Sequence, residues 1–108
     1  MKPTLLYIHG LGSDRNSRKF LNLKDYFKDQ FRYDFIEWNN ESNILQLLKN
    51  KLHEGQTVNQ YIIFGDSTGA NFAYHFKALR GKSKDILIMS SPLLDIERRI
   101  ANYEFLIY

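Results

Sequence analysis

Cysteine is absent from this chain, which excludes disulfides and thiolate metal sites. A chain without cysteine suits a reducing compartment. Long apolar runs are missing too. The N-terminal ten residues hold only the short run Leu5 to Ile8, well below a secretory signal, and no segment approaches the roughly 20 apolar residues of a membrane span. These absences predict a soluble, cytoplasmic protein with no membrane partner. There is no internal repeat, no low-complexity tract and no linker. Charge of one sign does not accumulate either. Arg15, Arg18, Lys19, Lys24 and Lys28 are interleaved with Asp14, Asp25 and Asp29. Mixed signs of this kind read as a solvated helix face, not a nucleic-acid surface, so no nucleic-acid partner is expected.

What is present is an ordinary globular composition. The 108 residues are 44% hydrophobic and 25% charged, with eight Phe, seven Tyr and a single Trp. That length predicts one domain over residues 1–108, with a modest core. Thr4 to Ile8 is a continuous apolar run stopped by His9-Gly10, as expected of a strand buried on both faces. Phe20, Leu23, Phe27 and Phe31 recur at helical spacing and predict a helix from about Ser17 to Gln30. Tyr33 to Trp38 reads as a second strand, closed by Asn39 and Asn40, which suit a turn or a helix N-cap. Ile44, Leu47, Leu48 and Leu52 predict a helix over about Glu41 to His53, with Gly55 past its end. Gln60 to Phe64 and Asp85 to Met89 read as strands, with a helix from about Thr68 to Leu79 between them. Pro92 to Asn102 suggests a short helix and Tyr103 to Tyr108 a fifth strand. Alternation of this kind predicts an α/β fold, a Rossmann-like three-layer sandwich on a mostly parallel sheet of four or five strands. Ligands in such sheets sit beyond the carboxyl ends of the strands.

Two sequences that could carry chemistry fall at such ends. Gly65-Asp66-Ser67-Thr68-Gly69 follows the third strand and opens the third helix. A chain turning that sharply holds Ser67 in a strained conformation, and residues two before and two after it must be small. Gly65 and Gly69 meet that demand. The turn lifts the Ser67 hydroxyl into the cleft as a candidate nucleophile. It also aims the backbone N–H of Thr68, at the helix N-terminus, toward a developing oxyanion. The competing reading is a tight glycine turn with Ser67 as a simple N-cap. Asp66 reads as a hydrogen-bonding residue of the loop. His9-Gly10-Leu11-Gly12 follows the first strand. A glycine-containing loop there supplies a second oxyanion donor, for which Leu11 N–H is the candidate. Gly10 lets the backbone approach a substrate, and His9 is expected to orient the loop rather than act as a base.

With these residues in hand, "LLYIHGLGSD", "IIFGDSTGA" and "ILIMSSPL" resemble the small single-domain bacterial esterases of the YqiA type, within the α/β-hydrolase superfamily. The resemblance follows element order through most of the chain and is specific in the two loops. It implies carboxylic ester hydrolysis without cofactor or metal, acting on a small ester or acyl substrate. It also implies Ser67 as nucleophile and Leu11 and Thr68 as oxyanion donors.

That family places an acid and then a histidine after the serine. The chain has three histidines, at 9, 53 and 75. His75 lies eight residues beyond Ser67, about 12 Å along the helix axis. Asp95 is a candidate acid at an alternative position, with an exposed turn residue or helix-start aspartate as its plainer reading. Three expectations therefore stand side by side. The chain is the N-terminal part of a longer hydrolase with acid and histidine beyond residue 108. Or it is a complete binding module without the chemistry. Or a partner chain supplies the base, with self-association through the C-terminal edge strand. A flavodoxin-like domain is a further alternative on element order. Tyr7, Trp38, Phe72 and Leu93 are candidates for an apolar acyl pocket or, equally, for core.

Overall fold

The computed structural model describes residues 2–90. The segment after Ser90 lies outside them, and with it the expected short helix, the fifth strand, Leu93 and Asp95. Within residues 2–90 the order is β1 (Thr4–Ile8), α1 (Arg18–Phe27), β2 (Arg32–Ile36), α2 (Ile44–Glu54), β3 (Tyr61–Asp66), α3 (Thr68–Arg80) and β4 (Ile86–Ser90). The strands form a parallel sheet in the order β2-β1-β3-β4.

β1 is buried at all five positions, which explains why its sequence is apolar throughout rather than alternating. Its side chains serve two cores. Leu6 and Ile8 pack with Ile36, Ile63, Leu48 of α2 and Phe72, Ala73 and Phe76 of α3. Leu5 and Tyr7 face the other way, onto Phe20 and Leu23 of α1 with Phe35 and Phe64. So α1 covers one face, and α2 and α3 cover the other. The strand order requires this. The chain steps from β1 to β2 in one direction and then returns across β1 to β3 and on to β4. Crossovers of one hand must therefore put α1 opposite α2 and α3.

Local chemistry sets the helix ends. The Ser17 hydroxyl accepts from the Phe20 N–H and caps α1. It also meets the Tyr7 hydroxyl at 3.2 Å. Burial raises the Tyr7 phenol above its ordinary range, against the lowering effect of that Ser17 contact. The expected first helix runs on only as a 3-10 turn over Lys28–Gln30, because Lys28 adopts a left-handed φ of 49°. Asn39 and Asn40 do not cap α2. Asn39 closes a turn by accepting from the Glu41 N–H, and Asn43 caps the helix by accepting from the Gln46 N–H. α2 thus starts later than the expected Glu41.

At the amino end of the sheet, Arg80 and Asp85 form a buried ion pair, Nε to Oδ2 at 2.6 Å, with side chains 4% and 0% exposed. The guanidinium also donates to the carbonyls of Gly55 and Val58 and lies over the Tyr61 ring. Asp85 Oδ1 accepts the Tyr61 N–H at 2.9 Å. Among the described residues, every buried side-chain polar atom has a partner.

Candidate active site

β1 and β3 are adjacent, with Ile8 opposite Gly65. After β1 the chain leaves toward α1 on one face. After β3 it leaves toward α3 on the other. Loops diverging from neighbouring strands open a crevice at their carboxyl ends. His9 to Gly12 and Asp66 to Ser67 line it.

Ser67 holds the backbone at φ 56°, ψ −120°. A non-glycine residue rarely adopts this region, and it costs on the order of 1–3 kcal/mol. The side chain makes no cap hydrogen bond to α3 although Ser67 occupies the N-cap position. The simple N-cap reading therefore fails. Two close approaches hold the turn. A Cβ on Gly69 would overlap the carbonyl oxygens of Ile8 and His9, and one on Gly65 would lie 2.6 Å from Ala70 Cα and 2.7 Å from Ala73 Cβ. α3 thus sits directly against the end of β1, at a distance only glycine allows. Thr68 opens α3 and is buried. First-turn amides of a helix lack intrahelical acceptors, and the helix dipole adds partial positive charge there.

The first loop meets this turn from the side. A Cβ built on Gly10 would lie 3.2 Å from Ser67 Cβ, 3.2 Å from the Asp66 carbonyl oxygen and 3.8 Å from Ser67 Oγ. Gly10 thus lies beside the Ser67 side chain, and a Cβ there would crowd the Ser67 Cβ and the Asp66 carbonyl while only touching the hydroxyl. The Ser13 N–H donates to the Gly10 carbonyl at 3.2 Å, closing a turn through Leu11 and Gly12 with Gly12 at φ 81°. Leu11, in this turn, is 52% exposed.

His9 is buried beneath the loop. Its Nε2 accepts the Trp38 backbone N–H at 3.0 Å, and its own carbonyl accepts the Trp38 indole N–H at 2.9 Å. The imidazole stacks on the Trp38 ring at 5.2 Å between centroids. With Nε2 accepting, hydrogen-bond logic assigns the ring proton to Nδ1, which donates to the Gly10 carbonyl. Both ring nitrogens are committed, so in this arrangement His9 orients the loop and has no site left for a proton from Ser67. His75 lies on α3, and burial lowers its pKa below 6.5. His53 is exposed on α2. Among the described residues no cluster of His, Asp and Glu is placed to hold a metal ion.

Sequence reasoning missed two partners of the site. One is Trp38, which clamps His9 across 29 positions. The other is Lys19 of α1. Its Nζ donates to Asp66 Oδ1 and to Ser90 Oγ, each at 2.8 Å. No local signal marks either, because both contacts join distant elements. Of the candidates for acyl pocket or core, Tyr7, Trp38 and Phe72 are all buried core. Trp38 and Phe72 pack edge to face under the sheet, and Tyr7 fills the opposite core. An apolar groove of about 350 Å³ is lined by Leu23, Tyr26, Phe27 and Phe64 together with Lys19, Asn22 and Ser90.

No protein-family model matches this chain, and no curated protein matches it. No helix among the described residues is long and apolar enough to cross a membrane.

Proposed function

We propose that this chain carries the nucleophile and oxyanion side of a serine hydrolase built on the α/β-hydrolase plan, acting on small carboxylic esters. The observation that carries the proposal is the backbone of Ser67 at φ 56°, ψ −120°, uncapped, with Gly10 against its side chain. Strain of this kind persists only where the surrounding structure over-determines it, and it gathers at reactive sites. In the proposed reaction Ser67 Oγ attacks the ester carbonyl carbon. The Thr68 and Leu11 N–H groups receive the oxyanion, and the alcohol leaves with the proton taken from Ser67. Water then cleaves the acyl-enzyme. The step needs a proton acceptor, a histidine oriented by an acid, and His9, His53 and His75 do not take that place. The reaction calls for no cofactor.

A second reading has its own observation. None of the three histidines is placed as a base: His9 has both nitrogens engaged, and the others lie on α2 and α3. A serine without a base is a weak nucleophile, so a binding module that keeps the crevice without the chemistry fits this fact. The strand order β2-β1-β3-β4 also suits a flavodoxin-like domain, but that fold gives no reason for a strained serine at the end of β3.

Covalent labelling separates these readings. The full translated product, treated with a fluorophosphonate and digested, should carry the phosphonyl group on the peptide containing Ser67. Ser67→Ala should carry none. An unmodified Ser67 would sink the hydrolase proposal and leave the binding module.

A further inference from the structure

Lys19 breaks a local rule. It stands in the first turn of α1, beside Arg18, with no acidic residue in that turn. A cation at a helix N-terminus opposes the helix dipole. Local rules are most often broken where a site needs the residue. The Lys19 side chain reaches back over the carboxyl end of the sheet and ends on Asp66 and Ser90, 2.8 Å from each.

Those two residues flank Ser67 in space. Asp66 precedes it in the turn, and the Asp66 carbonyl oxygen is one of the atoms closest to Gly10. Ser90 ends β4, and its carbonyl accepts the Ser67 N–H at 2.9 Å. One ammonium therefore ties α1, the β3 turn and the end of β4 together around the serine. We infer that Lys19 is a positioning residue for Ser67, fixing the turn through the Asp66 carboxylate and the Ser90 hydroxyl without touching the reacting atoms. The inference rests on the nucleophile reading for its kinetic consequence and on geometry alone for its structural one. The Lys19 side chain is 46% exposed, so the ion pair is screened and adds little to global stability. Its loss acts locally, on a backbone conformation that relaxes unless its surroundings hold it.

The test uses Lys19→Met and Lys19→Arg in the full chain with two readouts. Amide hydrogen exchange, followed by NMR, should speed up at Ser67 by about tenfold or more in Lys19→Met, while Leu6 and Ile63 keep their protection. Lys19→Arg, which retains the charge and donors, should keep most of the Ser67 protection. The rate of phosphonylation at Ser67 should fall by roughly tenfold in Lys19→Met, with Lys19→Arg in between. Unchanged exchange at Ser67, or acceleration matched at Leu6 and Ile63, overturns the positioning role. Faster exchange with an unchanged phosphonylation rate overturns its link to the nucleophile. Failure of the unsubstituted protein to react at all overturns the hydrolase reading instead, and the exchange result still decides what Lys19 does.

Discussion

Alanine at position 69 is expected to destabilise the protein by about 3 kcal/mol, the upper part of the usual overpacking range. In an exposed helix interior the same change would stabilise by roughly 1 kcal/mol, because alanine is the better helix former. The sign reverses here because the added methyl would overlap the carbonyls of Ile8 and His9. Those are backbone atoms of Ile8, the last residue of a strand buried at every position, and of the buried His9 that follows it, so they cannot swing aside as a side-chain tip would. α3 must withdraw from β1, which also widens the gap between Ser67 and Gly10. Urea unfolding followed by circular dichroism checks this. A Gly69→Ala protein as stable as the parent, or more stable, would show that α3 does not press on β1.

The second large effect lies at the other end of the sheet. Arg80→Met removes the partner of a fully buried carboxylate and takes the guanidinium donors away from the Gly55 and Val58 carbonyls, of which Gly55 keeps the Val58 N–H. Breaking a buried pair from one side costs about 3–5 kcal/mol, since the remaining charge stays desolvated. That is a large share of the roughly 5–15 kcal/mol that holds a typical domain together. Adding Asp85→Asn should recover part of the loss. The amide oxygen can still accept the Tyr61 N–H, and no buried charge remains. Equilibrium unfolding of the single and double variants decides the matter. A loss below about 1 kcal/mol for Arg80→Met would place the pair in far wetter surroundings than its 4% and 0% exposure indicates.

Much of the fold can be read from the chain because its signals are local. The apolar run Thr4–Ile8 is unbroken, since both faces of β1 are covered. The α1 stripe of Phe20 and Leu23 points at one core. The turn at Ser67 is legible for the same reason: its two glycines stand two residues either side of it and answer steric demands made within a few ångströms. Boundaries are less legible where several residues qualify for one task. Asn39, Asn40 and Asn43 can all cap a helix, and only packing of Ile44 and Leu48 into the core selects the last. What cannot be read is what depends on distant pairs. Trp38 reads equally as pocket or core until its two hydrogen bonds to His9 are seen. Lys19 looks like a solvated cation until it meets Asp66, 47 positions away. Arg80 carries no sequence hint of the carbonyls it satisfies across the amino end of the sheet.

In the proposed hydrolase Ser67 is held in a costly backbone conformation for the sake of its hydroxyl. The unfolding free energy of Ser67→Gly tests that most directly. Glycine adopts φ 56°, ψ −120° without the steric penalty of a side chain, though it also gains freedom in the unfolded chain. Release of the strain should outweigh that gain, leaving the variant more stable than the parent by about 1 kcal/mol. A Ser67→Gly protein less stable by about 1 kcal/mol, the ordinary cost of introducing glycine, would contradict the account: Ser67 would then be resting in its turn rather than held there.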